Sequence, residues 1–109
     1  MNVHIVALAT NAQRFEQVLM VLHEVSHIRM PVVLMGDFNI SSILGKKKLV
    51  AMMKREGFHV YPKRVVTHRV GIIKHQFDYV FVRDFIIDSQ HSLRLKFSDH
   101  FPVFVCGRF

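Results

Sequence analysis

The sequence predicts an α+β fold, in which a β-sheet packs against flanking helices. Short apolar runs bounded by turn-forming residues recur along the chain, as they do in buried strands. Two longer segments, 11–28 and 46–56, instead carry apolar residues at helical spacing. With 109 residues and neither an internal repeat nor a linker, the chain is expected to form a single domain over residues 1–109.

The first predicted strand and helix cover the N-terminal quarter of the chain. Residues 3–8 are apolar and β-leaning, which predicts a strand. Thr10 and Gln13 have the spacing of a capping box, which predicts the start of the first helix. His23 and His27 lie four residues apart on one helix face. Such a pair can bind a metal, but two surface histidines are the simpler interpretation.

The stretch that follows this helix carries the first candidate functional residues. An apolar run at 31–35 is closed by Gly36, which predicts a buried strand that ends in a turn. Because side chains alternate in an extended segment, Asp37 and Asn39 are expected on one side and Phe38 in the core. A carboxylate beside an amide suits attack on a phosphate, although Gly-Asp-x-Asn also forms ordinary turns.

The second half of the chain alternates strands and basic segments. Ser41 and Ser42 can begin the second helix and Gly57 can end it. The exposed side of that helix is basic, which indicates either a solvated face or a contact with a phosphate backbone. The polar segment 67–75 is predicted to be a loop, and Leu93 is expected to point inward. Further strands are predicted at 58–61, 64–66, 77–82, 92–97 and 101–106.

Composition restricts the partners and the compartment. Fifteen Lys and Arg against eight Asp and Glu give a net charge of +7, which favours nucleic acid, a phosphorylated small molecule or anionic lipid. The single cysteine, Cys106, excludes a disulfide within the chain, so a reducing compartment, the cytoplasm, is expected. The apolar neighbours of Cys106 predict a buried thiol. The apolar runs are too short to span a membrane.

Polar side chains interrupt the apolar strands at only a few positions. Each position lies within or at the end of a strand, where a sheet-based site gathers its residues on one rim. An acid in a strand that is apolar on both faces is costly unless a cation, a metal or several donors pair with it. Each position also has a plain explanation, as a satisfied core residue or a turn former. The positions are His4, Asp37, Asn39, Asp78, Asp99 and His100.

Three motifs follow one another in a fixed order. Residues 36–39 read Gly-Asp-Phe-Asn, residues 77–82 read Phe-Asp-Tyr-Val-Phe-Val, and residues 98–103 read Ser-Asp-His-Phe-Pro-Val. Together they resemble the endonuclease/exonuclease/phosphatase superfamily with the deoxyribonuclease I-like fold. Asn2-Val3-His4-Ile5 is similar to the Asn-Thr-His-Leu strand of that family, and Arg14-x-x-Gln17 is similar to the Arg-x-x-Gln of its next helix.

The resemblance implies catalytic roles for five residues. Asp37 would orient or deprotonate the attacking water, and Asn39 would bond the scissile phosphate. His100 would stabilise charge on the phosphate or transfer a proton, with Asp78 accepting its ring N–H. His4 would be the second histidine of the site. These groups suit phosphodiester hydrolysis, which needs a positioned water and neutralisation of the anionic phosphate.

The resemblance also implies a metal and substrate contacts. Asp99 would lie near a divalent ion, usually magnesium, with manganese as the alternative. Thr67-His68-Arg69 is similar to a loop of many bacterial members, so His68 and Arg69 would contact the substrate. The family holds its principal metal with a glutamate from an early strand, upstream of the Asn-Thr-His-Leu strand. This sequence begins at that strand.

The resemblance therefore covers only the C-terminal half of the family domain. It implies a mostly antiparallel sheet with flanking helices, half of a deoxyribonuclease I-like four-layer α/β sandwich. One sheet of such a sandwich has an apolar face that the N-terminal half, or a second copy in a homodimer, is expected to cover. The residues expected on that face are Phe77, Tyr79, Phe81, Val103 and Val105.

The leading interpretation is a metal-dependent phosphodiester or phosphomonoester hydrolase that is incomplete without its N-terminal half. A fragment, a split gene or a truncated reading frame would each explain the short chain. The alternative is a non-catalytic remnant, either a homodimer or a basic nucleic-acid-binding module. A third interpretation is an unrelated small α/β domain. DNA, RNA, phosphoinositide and sphingomyelin all stay open as substrates, and the basic segments favour nucleic acid.

Overall fold

The computed structural model describes residues 2–5, 9–61, 68–70, 73–93, 99–101 and 103–108. Within these ranges the chain forms two helices and eight strands, and the predicted α+β class is confirmed. The elements are β1 (Asn2–His4), α1 (Asn11–Ser26), β2 (Val32–Asp37), α2 (Ile43–Arg55), β3 (His59–Tyr61), β4 (His68–Val70), β5 (Ile73–His75), β6 (Asp78–Arg83), β7 (Ile86–Ser92) and β8 (Val103–Arg108).

Four strands form the main sheet in the order β1-β2-β6-β3. β1 runs parallel to β2, whereas β6 runs antiparallel to both β2 and β3. The pairs β4–β5 and β7–β8 form two further antiparallel sheets. The parallel strands β1 and β2 both end at the same edge of the main sheet, and β6 begins there.

Local sequence signals set the starts of both helices and the end of α2 as predicted, whereas α1 ends at Ser26, two residues before its predicted end. At the start of α1, the Gln13 N–H donates to Thr10 Oγ1 (3.3 Å) and the Thr10 N–H donates to Gln13 Oε1 (2.9 Å), which completes the capping box. At the start of α2, Ser42 Oγ accepts the Gly45 N–H at 3.0 Å. Gly57, with φ +82°, follows the end of α2 in a conformation that favours glycine.

The two helices cover one face of the main sheet. The hydrophobic core lies between them and the sheet, because both helices present an apolar stripe to the strands. Arg83, at the end of β6, ties α1 to the sheet, since its guanidinium donates to the carbonyls of Val25 (3.1 Å) and Ile28 (2.7 Å). The largest fully buried side chains of this core are Phe38, Phe58, Phe81, Ile5, Leu34, Ile40, Leu49, Met53, Val18 and Val25.

The prediction that Tyr79 and Phe81 lie on an uncovered sheet face is wrong. They are only 4% and 0% exposed and belong to the core cluster beneath the helices. The register of β2 and β6 decides this, because it pairs Phe81 with the buried Leu34 on the helix side. On the opposite face, Val33 is half-buried and Met35 is 43% exposed, whereas their β6 partners Val82 and Val80 are only 1% and 5% exposed.

The β7–β8 sheet lies outside the core cluster in the part of the chain that the structure describes. Val103 and Val105 are half-buried and Cys106 is exposed, so the prediction of a buried thiol is wrong. The reason is that β8 pairs with the polar strand β7 and contributes no residue to the cluster beneath the helices. Leu93, which was expected to point inward, is 46% exposed just after the end of β7.

Strand pairing accounts for two further corrections. The segment 67–75, predicted to be a loop, contains β4 and β5, which pair Arg69 with Lys74. β7 is absent from the sequence prediction because its residues are mostly polar and do not alternate, yet it pairs with β8 through an irregularity between Ile87 and Ser89. The strand predicted at 64–66 and most of the one at 92–97 lie outside the described residues.

Neither described helix combines the length and apolarity needed to cross a bilayer.

Candidate active site

Three strands of the main sheet bring polar side chains to one edge. The β1–β2 register pairs His4 with Asp37, and the β2–β6 register pairs Asp37 with Asp78. Because paired residues on neighbouring strands point to the same face, these side chains form a row across the sheet. His4 is exposed, and Asp37 and Asp78 are half-buried. The row lies on the face opposite the helices, as does Met35.

His100 joins this row from the segment that leads into β8. Its Nδ1 lies 2.9 Å from Asp78 Oδ2, a hydrogen bond, and its Nε2 lies 3.7 Å from Asp37 Oδ2. The carboxylate of Asp78 accepts a hydrogen bond from the Nδ1–H group and thereby sets the orientation of the ring. The structure therefore brings together Asp37, Asp78 and His100, which the sequence separates by 41 and 22 residues.

The acidic neighbours change the pKa of His100. Burial alone would lower this pKa, but the hydrogen bond to Asp78 and the charges of Asp78, Asp37 and Asp99 act in the opposite direction and together raise it above the ordinary value of 6.5. The imidazole is therefore protonated to a higher pH than a free histidine. The protonated ring of His100 is a positive charge at this site, and a positive charge favours the binding of an anionic phosphate.

We expect Asp78→Asn to lower the pKa of His100 in the metal-free protein, because the substitution removes both the charge and the carboxylate acceptor. An NMR titration of the His100 ring protons measures this pKa. Asp88→Asn, which alters an exposed aspartate paired with Arg108, serves as the matched control. An unchanged His100 pKa in Asp78→Asn would contradict the hydrogen-bond assignment.

The same raised pKa has a consequence for stability. A group whose pKa is higher in the folded state stabilises the fold below its unfolded pKa, and the contribution is lost as the pH rises through the folded pKa. The difference in unfolding free energy between the native chain and His100→Gln is therefore expected to be largest below pH 6.5 and to shrink above it.

The turn after β2 holds Asp37 in place. The Asn39 N–H donates to Asp37 Oδ1 (2.8 Å) and Asn39 Nδ2 donates to the Ile5 carbonyl (2.7 Å), while the Ile5 N–H donates to the Asp37 carbonyl (2.8 Å). Asn39 has φ +50°, a conformation that asparagine tolerates better than most residues. Phe38 is 1% exposed, and its ring packs edge-on against Phe81.

Asn39 and Ile5 thus have positioning functions that the sequence did not indicate. The hydrogen bond from Asn39 Nδ2 to the Ile5 carbonyl joins the turn to the residue after β1. The amide has a second N–H, and the predicted bond to a phosphate would use it. The backbone of Ile5 contributes both a donor and an acceptor. Nothing in the sequence marks an isoleucine for this task, because its main chain makes the contacts.

The carboxylate oxygens of Asp37 and Asp78 at this edge suit a hard divalent cation, whereas His100 could be a ligand only after losing a proton. One atom each from Asp37, Asp78 and His100 lie within 4.8 Å of one another. Magnesium is commonly bound by one or two carboxylates, with water and substrate phosphate supplying the other oxygens. Asp99, the predicted ligand, is exposed and next to His100, but it is not part of that close group. Its assignment as a metal ligand stays a prediction.

The predicted substrate contacts lie elsewhere in the fold. His68 and Arg69 belong to β4, where they pair with His75 and Lys74 of β5. Their contact with a substrate stays a prediction.

The fold of this chain is similar to that of several proteins of known structure. No protein-family model matches the sequence, and no curated protein matches it significantly. A conserved protein of unknown function from Enterococcus faecalis V583 is similar in structure, with a TM-score of 0.75 and 23% identity over 98% of this chain and 49% of the other.

Two solved structures from Bacteroides thetaiotaomicron are also similar. A mannosyl-6-phosphatase matches with a TM-score of 0.64 and 18% identity, over 99% of this chain and 50% of the other. An endonuclease/exonuclease/phosphatase family protein matches with a TM-score of 0.67 and 20% identity, over 95% of this chain and 47% of the other. At these identities the likeness shows the fold alone, and the chain spans about half the length of each protein.

Proposed function

We propose that this chain carries part of the active site of a metal-dependent phosphoester hydrolase. The observation that carries the proposal is the group formed by Asp37, His100 and Asp78, with the Nδ1–Oδ2 hydrogen bond of 2.9 Å. A half-buried carboxylate beside a histidine that a second carboxylate orients can supply the base and the acid that hydrolysis of a phosphoester uses. The shared fold with a mannosyl-6-phosphatase and with an endonuclease/exonuclease/phosphatase family protein supports this reaction class.

Each residue has a task in the proposed reaction. Asp37, fixed by the Asn39 N–H, accepts a proton from the attacking water or orients that water. Asp78 fixes the ring of His100, and the protonated ring stabilises the charge of the phosphate or donates a proton. His4, in register with Asp37, provides a further imidazole beside the same carboxylate.

A divalent ion would bind at the carboxylates of Asp37 and Asp78, and the resemblance adds Asp99 as a nearby ligand. Magnesium or manganese would neutralise negative charge on the phosphate oxygens when bound. These carboxylates would hold the ion beside the site at which Asp37 is proposed to orient the attacking water.

Full activity of this site is expected to need more chain than residues 1–109. The chain aligns with only 49%, 50% and 47% of the three similar proteins, so half of each has no counterpart here. On the basis of the resemblance, the N-terminal half would supply the glutamate for the metal. It would also cover Val33 and Met35 on the sheet face opposite the helices.

Hydrolysis assays test the proposal. The chain alone, and the chain expressed in one frame with the coding sequence that precedes Met1, are given mannose phosphate, a nitrophenyl phosphodiester, DNA and RNA. We expect hydrolysis that depends on magnesium or manganese and stops when a chelator is added. Hydrolysis that continues in the chelator, or no hydrolysis of any substrate by either protein, would contradict the proposal.

Partly exposed apolar side chains favour one alternative, a non-catalytic homodimer. Met35 is 43% exposed beside Val33, and Phe104 of the neighbouring β8 is 43% exposed. Contact with a second copy would remove this apolar surface from water. Sedimentation distinguishes the candidates, because a chain that stays monomeric at all concentrations excludes the homodimer. Binding of DNA that weakens with salt would instead favour the nucleic-acid-binding alternative.

A further inference from the structure

The first turn of α2 exposes two adjacent large aliphatic side chains. Ile43 is 74% exposed and Leu44 is 79% exposed, the highest values among the large hydrophobic residues that the structure describes. Single exposed apolar residues are ordinary on protein surfaces, but neighbouring ones indicate an interaction site.

These residues border an open cavity between the first turns of the two helices. Its volume is about 580 Å³, and Phe15, Ile43, Leu44 and Lys48 contribute to its lining. Phe15 itself is only 6% exposed, and the Lys48 ammonium lies 4.3 Å from the centroid of its ring. This cation–π contact holds the positive charge of Lys48 next to the apolar lining of the cavity.

The charge around the cavity is positive from two sources. Lys47 and Lys48 are exposed on α2, whereas Lys46 is half-buried and burial lowers its pKa. Both α1 and α2 lack an acidic residue in the first turn, where acids usually offset the positive end of the helix dipole. The ends of two helices and two exposed ammonium groups therefore act together at one corner of the molecule.

We propose that Ile43, Leu44, Lys47 and Lys48, the α2 corner, bind the surface of an anionic phospholipid membrane. Aliphatic side chains that enter the headgroup boundary, next to lysines that contact lipid phosphates, are the chemistry of interfacial membrane binding. A nucleic acid backbone would contact the lysines but would gain nothing from two exposed aliphatic residues. The apolar pair therefore favours a lipid surface over nucleic acid.

The α2 corner lies at the same edge of the sheet as Asp37. β1 and β2 both end at this edge, and α1 and α2 are the next described elements after them in the chain. Binding at the corner would bring that edge of the sheet towards the lipid headgroups. The membrane proposal itself does not depend on the proposed hydrolysis, because binding is measured without a reaction.

Vesicle sedimentation tests the proposal with the full chain. One set of vesicles contains phosphatidylcholine and phosphatidylserine, and the control set contains phosphatidylcholine alone. We expect binding to the mixed vesicles that weakens with salt. The pair Lys47→Gln and Lys48→Gln is expected to weaken it about 25-fold, since each lysine near an anionic surface contributes about fivefold. The pair Ile43→Ser and Leu44→Ser is expected to weaken it at least about tenfold.

Matched variants at other places in the fold provide the controls. Lys54→Gln with Arg55→Gln removes two charges from the opposite end of α2. Met30→Ser changes an apolar residue that is 70% exposed before β2, at the far edge of the sheet. Both control proteins are expected to bind the mixed vesicles within about threefold of the native chain. Circular dichroism confirms that every variant has native helix content.

Three results would overturn the proposal. The first is a native chain that does not bind the mixed vesicles. The second is undiminished binding by Ile43→Ser with Leu44→Ser. That result would show that the lysines alone bind polyanions, duplex DNA included. The third is an equal loss of binding in Lys54→Gln with Arg55→Gln, which would show that net charge alone controls binding.

Discussion

Replacing His100 with alanine is expected to lower metal-dependent phosphoester hydrolysis by about 10²–10⁴-fold, the usual contribution of a positioned acid or base. The side chain that is lost lies 2.9 Å from Asp78 and 3.7 Å from Asp37, at the centre of the candidate site. Asp37→Asn is expected to have an effect of similar size, because an amide cannot accept the proton of water. Initial rates in saturating magnesium measure both effects.

Matched substitutions separate catalysis from general damage. His23→Ala removes an exposed histidine from α1, and Asp88→Asn neutralises an exposed aspartate in β7. Both controls are expected to keep the native rate. The assigned roles fail if His100→Ala and Asp37→Asn both retain native rates, or if the two controls lose as much activity as the site variants do.

Phe81→Ala is expected to lower the free energy of unfolding by about 3–5 kcal/mol, the usual cost of truncating a buried phenylalanine. Phe81 is 0% exposed, packs edge-on against Phe38 with ring centroids 5.2 Å apart and stacks on Tyr79 at 5.4 Å. Since domains are stable by only about 5–15 kcal/mol, this loss would be a large fraction of the total stability. Urea denaturation followed by circular dichroism measures the change.

Phe104→Ala is the matched control for this substitution. Phe104 is 43% exposed and stacks on His91 in β8, away from the core beneath the helices. Its truncation is expected to cost at most about 1 kcal/mol. If Phe104→Ala destabilises the chain as much as Phe81→Ala does, the core is not centred between the helices and the main sheet.

Phe38 links the effect of Phe81→Ala to the candidate site. The ring of Phe38 packs on Phe81 in the core, while the residues on either side of it, Asp37 and Asn39, form the turn of the candidate site. Loss of Phe81 is therefore expected to loosen the turn as well as the core. Asp37 then loses the fixed position on which its proposed role depends.

Local signals in the sequence predicted the parts of the fold that local interactions control. The Thr10 capping box, the Ser42 cap and Gly57 after α2 act within a few residues, so their patterns indicated the helix ends. The alternation around Phe38 likewise placed that ring in the core. The polar interruptions of apolar strands identified Asp37, Asp78 and His100 as candidates for a shared site.

Only the tertiary structure decided which faces are covered and which residues meet. The β2–β6 register placed Tyr79 and Phe81 beneath the helices, and the pairing of β8 with β7 left Cys106 exposed. The 2.9 Å contact of His100 with Asp78 depends on the position of a segment outside the main sheet. A residue pattern fixes the period of an element, but register and contact between distant segments depend on packing that no local pattern encodes.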